Sequence, residues 1–336
     1  MAEIPREGTN PLKPRVKRVV LRGLLALVLA LAGAELILQA AHLLARSREQ
    51  RALPPGAAVI LCLGDSHTYG AGVTLAESYP AKLEAKLRDR GFKVSVVNAG
   101  APGYNTSELR RRLPDWLQTY APAVVIVLAG VNNGWNRADA AWSDAADGLP
   151  APPATRMLDW LQTRSRLVRA LILARHRLDW TRSEEENARD RSGGLVGHRR
   201  VESGMTEPPE RTYDRARRDL VAIVAQCRAG HALPLLMTYV TEPAFPFETP
   251  NHLLREVAAE MRVPLADNDR AFRPYLFRPD GSLIRAERDR LFLPDMHARG
   301  PAYDLIADNI IQTLSRERAL EGLPKVEGKE AAGQER

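Results

Sequence analysis

The chain has 336 residues, of which 45% are hydrophobic and 26% charged. That balance is ordinary for a globular protein and excludes collagen, a coiled-coil rod and wholesale disorder. Two cysteines, Cys62 and Cys227, exclude a disulfide-rich scaffold and a four-cysteine zinc site. Lys and Arg number 48 against 41 Asp and Glu, a net charge of +7, and the residues up to Arg22 carry +4 of it. The basicity is therefore mostly N-terminal, and it does not describe a nucleic-acid-binding surface.

The basic segment 1–18 leads into an uncharged run, Gly23–Ala34, which Glu35 interrupts before LILQAAHLLA continues to Ala45. A basic flank before an apolar run predicts a cytoplasmic N-terminus and an exported remainder. The favoured reading is a transmembrane signal anchor over 19–45. A helix from Gly23 to Ala45 is about 34 Å long, enough to cross a bilayer core. Ala32-Gly33-Ala34 also fits an A-x-A cleavage site, so a cleaved signal peptide is the alternative. Glu35, Gln39 and His42 fall on one helical face, which suits a helix that continues, with its polar side at the interface or against a partner.

A polar linker over 46–56 precedes the main domain, 57–316. Strands are predicted at Ala57–Leu63, Lys93–Val97, Ala123–Leu128, Leu233–Val240 and Val263–Ala266, because short apolar runs recur there between turn-forming residues. Helices are predicted at Glu77–Arg90, Ser107–Thr119, Arg156–Arg175, Tyr213–Ala229, His252–Met261 and Ala302–Leu314. A charged insertion spans about 181–211, and 317–336 forms a polar, frayed tail. Strands that alternate with helices and are apolar throughout imply a parallel sheet covered on both faces. The expected fold is flavodoxin-like, a three-layer α/β/α arrangement of about five parallel strands, plus the N-terminal membrane helix.

In such folds ligands bind beyond the carboxyl ends of the strands. The first strand is followed by Gly64-Asp65-Ser66, the second by Asn98-Ala99-Gly100 and Gly103-Tyr104-Asn105, the third by Gly130-Val131-Asn132-Asn133; Asp295-Met296-His297 precedes the last helix. Together they have the parts for acyl transfer. Ser66 supplies a hydroxyl at a tight strand-to-helix turn, and it needs a base to become nucleophilic. His297 is that base, and Asp295 fixes its tautomer and stabilises the imidazolium. The backbone N–H groups of Ser66 and Gly100 and the side-chain amide of Asn132 are the candidate oxyanion donors. Asp65 is read as a turn cap. The ring of His67 is expected to point away from the nucleophile. Trp135 and Trp142 either line the cleft or pack the insertion.

These blocks resemble those of the SGNH (GDSL-type) hydrolases, over about Val59–Leu314. Gly64-Asp65-Ser66 is similar to the block that carries the family's nucleophile, and Asn98-Ala99-Gly100 to the one whose glycine is an oxyanion donor. Gly130-Val131-Asn132-Asn133 resembles the third block, whose first asparagine completes the hole, and Asp295-Met296-His297 the last, which carries acid and base. Two positions depart from the pattern. Asn133 replaces the usual aspartate, which alters support of the loop more than the donor. The family's acid stands three residues before its histidine; here Pro294 occupies that place and Asp295 stands two before.

The expectation is therefore an extracytoplasmic serine esterase that acts on an acyl ester of a glycan or lipid. The alternatives are an O-acyltransferase for a cell-envelope polysaccharide and a non-catalytic glycan-binding scaffold. No cofactor is expected, since neither G-x-G-x-x-G nor G-x-x-x-x-G-K-[ST] follows a strand. The expected partners are the ester substrate and the membrane, not nucleic acid.

Overall fold

The runs AVILCLG, VSVVNAG and VVIVL become β1 (Ala58–Gly64), β2 (Val94–Gly100) and β3 (Val124–Leu128). LPLLM becomes β4 (Leu233–Met237), and β5 is the two-residue Leu265–Ala266. The computed structural model describes residues 14–49, 53–175, 209–242 and 247–326. All strand pairs are parallel, in the order β2-β1-β3-β4-β5. This is the flavodoxin-like order, and its switch point lies at β1, between β2 and β3. The strands lack polar alternation because helices cover both faces, and Ile60–Leu63 and Val125–Val127 are fully buried.

The described helices are α1 (Pro14–Glu49), α2 (Ser66–Tyr69), α3 (Tyr79–Asp89), α4 (Thr106–Tyr120), α5 (Ala140–Ala146), α6 (Pro153–Arg164), α7 (166–175), α8 (Pro209–Ala229), α9 (Glu248–Met261), α10 (Asn268–Leu276), α11 (Arg285–Leu291) and α12 (Gly300–Arg316). α3 and α12 pack on each other, and α4, α8 and α9 form a second group against the sheet. Asn105 and Glu108 cap α4 reciprocally: Asn105 Oδ1 accepts the Glu108 N–H at 2.8 Å and Glu108 Oε2 accepts the Asn105 N–H at 3.3 Å.

Several predicted bounds need correction. The single helix expected over Arg156–Arg175 is two, because Ser165 is extended (φ −115°, ψ 118°) and its Oγ caps α7 by accepting the Val168 N–H at 3.1 Å. The fourth and fifth strands are shorter than expected. α5, α10 and α11 were not anticipated. The tail is not wholly frayed: Leu323 is buried, Lys93 N–H donates to the Pro324 carbonyl, and Val326 N–H donates to the Gly91 carbonyl. Most of the insertion, and 327–336, lie outside the described residues.

Within α1 one stretch, Leu21–Ala41, is long and apolar enough to cross a membrane, with mean hydropathy 2.1 and none of it buried. Glu35 and Gln39 meet the main domain. Glu35 accepts from Ser165 Oγ and from the N–H groups of Arg166 and Leu167, at 2.8–2.9 Å, and Gln39 Nε2 donates to the Arg164 carbonyl. The side chain of His42 lies outside what is described.

Gly64 and Gly100 face each other in register at the ends of β1 and β2. A Cβ on Gly64 would stand 2.6 Å from the Leu128 carbonyl oxygen, and one on Gly100 would stand 2.5 Å from the Tyr69 nitrogen. Backbone cannot yield as a side-chain tip can, so Gly64→Ala and Gly100→Ala should each lower the urea unfolding free energy by about 1–3 kcal/mol or more. Midpoints equal to that of the unsubstituted chain would contradict this.

Candidate active site

The turn after β1 is built around Asp65. Its Oδ1 accepts the His67 N–H at 2.9 Å and caps α2, and its Oδ2 accepts the Tyr239 hydroxyl at 2.6 Å. Tyr303, from α12, donates its hydroxyl to the His67 carbonyl at 2.9 Å. The start of α2 is thus held by groups from beyond β4 and from the last helix. Burial pushes the Asp65 carboxyl up to about 6, although the Tyr239 hydroxyl and the His67 N–H pull it down. Ser66, the first residue of α2, stays partly exposed.

The loop before α12 brings His297 to Ser66. Leu293 N–H donates to the His297 carbonyl, Arg299 N–H donates to the Leu291 carbonyl, and Met296, at the tip, is left-handed with φ 63°. Left-handed backbone is costly for a non-glycine residue, and here the Met296 side chain is buried in the core, at 1% exposed. This fold of the chain makes an Asp-x-His spacing work. Asp295 Oδ1 accepts the His297 N–H at 3.2 Å, and Asp295 Oδ2 lies 3.0 Å from His297 Nδ1. On the other side of the ring, His297 Nε2 is 2.8 Å from Ser66 Oγ. With the Nδ1 proton directed at the carboxylate, Nε2 is the acceptor for the serine proton. The His297 side chain is 15% exposed and that of Asp295 46%.

His67 does not point away, as expected, but stacks on His297 with ring centroids 4.5 Å apart and planes 16° apart. The one-turn helix turns its ring back over the site, where Tyr239 and Phe247 meet it edge-on at 5.2 and 5.7 Å. Burial, and then the charge of His297, hold the His67 imidazole well below its ordinary pKa, so it is a neutral wall. A charged second imidazole there would oppose protonation of the first.

The expected amide donors divide. Ser66 N–H opens α2. The Gly100 N–H is engaged by Asn98 Oδ1 at 3.0 Å, which corrects its expected availability: the close approach that requires a glycine there is to the backbone of α2. Asn132 Nδ2 donates one proton to the Tyr104 carbonyl at 3.0 Å, and its Oδ1 accepts from Trp135 Nε1 at 3.0 Å. Gly103 was missed by sequence reasoning, although Pro102-Gly103 is a turn signal. It has φ 80° in the turn closed by Tyr104 N–H to the Ala101 carbonyl, and its own N–H donates to nothing among the described residues. Trp135 lies against it, 2.9 Å from where a Cβ would stand, whereas Trp142 lies beside Arg110 and Arg111. Asn133 supports the loop, its amide donating to Thr106 Oγ1 at 2.6 Å. Among the described residues no cluster of three His, Cys, Asp or Glu could hold a metal.

A family model described as GDSL-like Lipase/Acylhydrolase matches residues 62–196. Over that stretch the chain is similar to the family. The chain is 33% identical over 75 residues to an arylesterase of Vibrio mimicus, covering 22% of this chain and 38% of that protein. It is 33% identical over 78 residues to esterase TesA of Pseudomonas aeruginosa, covering 23% and 39%. The aligned stretches thus span under two-fifths of these relatives' lengths. A crystal structure of TesA is 17% identical, with TM-score 0.44, over 77% of this chain and 98% of that one.

Burial alone would raise the Asp295 carboxyl, but the bond and charge of His297 outweigh it and hold the group at about 2, against an ordinary 3.8. A carboxyl lowered on folding adds stability that is complete above the ordinary value and disappears as the pH falls through the lowered one. Asp295→Asn should therefore unfold at lower urea than the unsubstituted protein above pH 3.8, and the two should converge near pH 2. A difference independent of pH would contradict the pairing.

Proposed function

We propose that this GDSL-like chain is a serine ester hydrolase whose domain, about 57–316, works on the extracytoplasmic side of a membrane. Ser66, His297 and Asp295 are its catalytic residues. The observation that carries the reading is the unbroken relay from Asp295 through His297 to Ser66, with contacts of 3.0 and 2.8 Å.

In this reading Ser66 Oγ attacks the acyl carbonyl carbon as His297 Nε2 takes its proton, and the carbonyl oxygen becomes an oxyanion. The Ser66 N–H, the Gly103 N–H and the second amide proton of Asn132 receive that charge; Gly103 takes the place first expected of Gly100. The intermediate then breaks its bond to the alcohol oxygen, which leaves with the proton from His297. Water, deprotonated by the same Nε2, cleaves the acyl-enzyme and restores Ser66. Asp295 stays ionised throughout and stabilises the imidazolium. His67 fixes the plane of the His297 ring and keeps bulk water off one face. An acyl ester of a glycan or lipid fits a site beyond an exported, membrane-flanked segment, and the arylesterase likeness makes an aryl acetate a suitable probe.

Ser66→Ala should reduce hydrolysis of p-nitrophenyl acetate by roughly 10³-fold or more and abolish labelling by a fluorophosphonate, with an unchanged unfolding midpoint. Asp295→Asn should cost about 10²–10⁴-fold, chiefly in kcat. If the Ser66→Ala protein still turns over or takes up the probe, another group is the nucleophile.

Asn132→Ala and Asn132→Asp should each lower kcat by about 10²–10³-fold with little change in KM, since the amide would act only on the developing charge. A change confined to KM would assign Asn132 to ground-state binding.

A further inference from the structure

Three arginines gather on the side of the domain that meets α1. The Arg112 and Arg169 guanidinium carbons stand 5.1 and 5.4 Å from the centre of the Tyr104 ring. Arg166, one turn before Arg169 on α7, completes the group. Arg169 is paired with Glu108, at 2.5 Å. Arg112 and Arg166 have no carboxylate partner among the described residues, and the Nε of each is enclosed without a hydrogen bond. Burial, and then the charges of Arg169 and Arg112, hold the Arg166 guanidinium below its ordinary pKa. Three guanidinium groups thus share one carboxylate partner, Glu108, while the Glu35 carboxylate binds backbone N–H groups of α7.

Its surroundings are apolar in an unusual way. The sequence LVRALILA of α7 is as apolar as a strand of the sheet, yet no residue of α6 or α7 belongs to the hydrophobic core. Met157, Trp160 and Leu171 are 58–60% exposed. The N-terminus of α7 is bound to Glu35, within the apolar stretch Leu21–Ala41. Counted from Arg22, Glu35 lies about 20 Å along the helix, against a hydrocarbon thickness of about 30 Å. A domain element bound at that height reaches the outer leaflet. There exposed apolar side chains meet acyl chains, tryptophan takes the interface, and arginine extends its head toward phosphate.

We propose that the α6–α7 segment enters the outer leaflet of the bilayer that α1 crosses, and that Arg112 and Arg166 bind there the phosphate of an anionic phospholipid. This rests on α1 being a membrane anchor and is independent of the ester chemistry. Guanidinium groups without a carboxylate suit a phosphate, which accepts two parallel N–H bonds from each. The lipid supplies the missing negative charge and covers the exposed apolar side chains in one contact.

The test uses the full chain in nanodiscs of dioleoylphosphatidylcholine, alone or with an equal part of dioleoylphosphatidylglycerol. The anionic discs should raise the thermal midpoint by roughly 3 °C or more. The Arg112→Gln/Arg166→Gln variant should lose that increment while keeping a cooperative transition in neutral discs. Lipids brominated along the acyl chain should quench a fraction of the tryptophan fluorescence that Trp160→Phe removes. This second readout stands even if the double variant fails to fold. Equal midpoints in the two discs overturn the headgroup site, and quenching unaltered by Trp160→Phe overturns the placement of the α6–α7 segment. A rise produced by inorganic phosphate in neutral discs overturns the lipid as the source of the anion. Failure of the full chain to float with phosphatidylcholine vesicles removes the anchor and this proposal with it, leaving the esterase reading intact.

Discussion

Two backbones can lie against a third only where side chains are absent, and the site depends on that constraint. Gly64 and Gly100 stand side by side at the ends of neighbouring strands; the backbone of α2 rests on Gly100, while the Leu128 carbonyl of β3 and the Thr68 side chain of α2 close on Gly64. The contact sets the height of Ser66 above the sheet. Asp65, Tyr239 and Tyr303 then fix its direction through hydrogen bonds from three separate parts of the chain. The Asp65 carboxylate is fully buried, a costly place for a charge, and each of its oxygens accepts a hydrogen bond.

Met296 does for the base what the glycines do for the nucleophile. Its positive φ shortens the loop, so an acid two residues before the histidine reaches the same ring nitrogen that a more distant acid would be expected to reach. The local conformational cost is met by burying the thioether in the core. A spacing that differs from the family pattern is therefore compatible with the same carboxylate–imidazole contact.

The sheet was legible in the sequence because a strand covered on both faces has no choice but to be apolar; β1 and β3 needed no tertiary information. The four site blocks were legible because topology places every strand exit at one edge. What remained hidden depended on partners remote in the chain. Ser165 breaks a continuous helical pattern, and its Oγ donates to Glu35, 130 positions earlier. α10 and α11 are rich in arginine and aspartate, with Leu276 and Leu291 among the few inward-facing side chains, too sparse a stripe to be distinguished from a loop. Gly100 and Gly103 look alike as letters. Only the geometry separates a glycine needed for close packing from one whose N–H is left open. The ring of His67 could not be oriented until α2 was known to be a single turn.

The junction between Glu35 and α7 has a mechanical consequence. A domain hung from its anchor by a slack leash would sweep a hemisphere and find soluble and surface-bound molecules alike. A carboxylate that holds a helix end through three hydrogen bonds turns the leash into a strut. In the anchored arrangement proposed above, the serine is carried at a set altitude and tilt, and what it encounters is chosen as much by how far a molecule projects from the lipid surface as by the shape of the cleft.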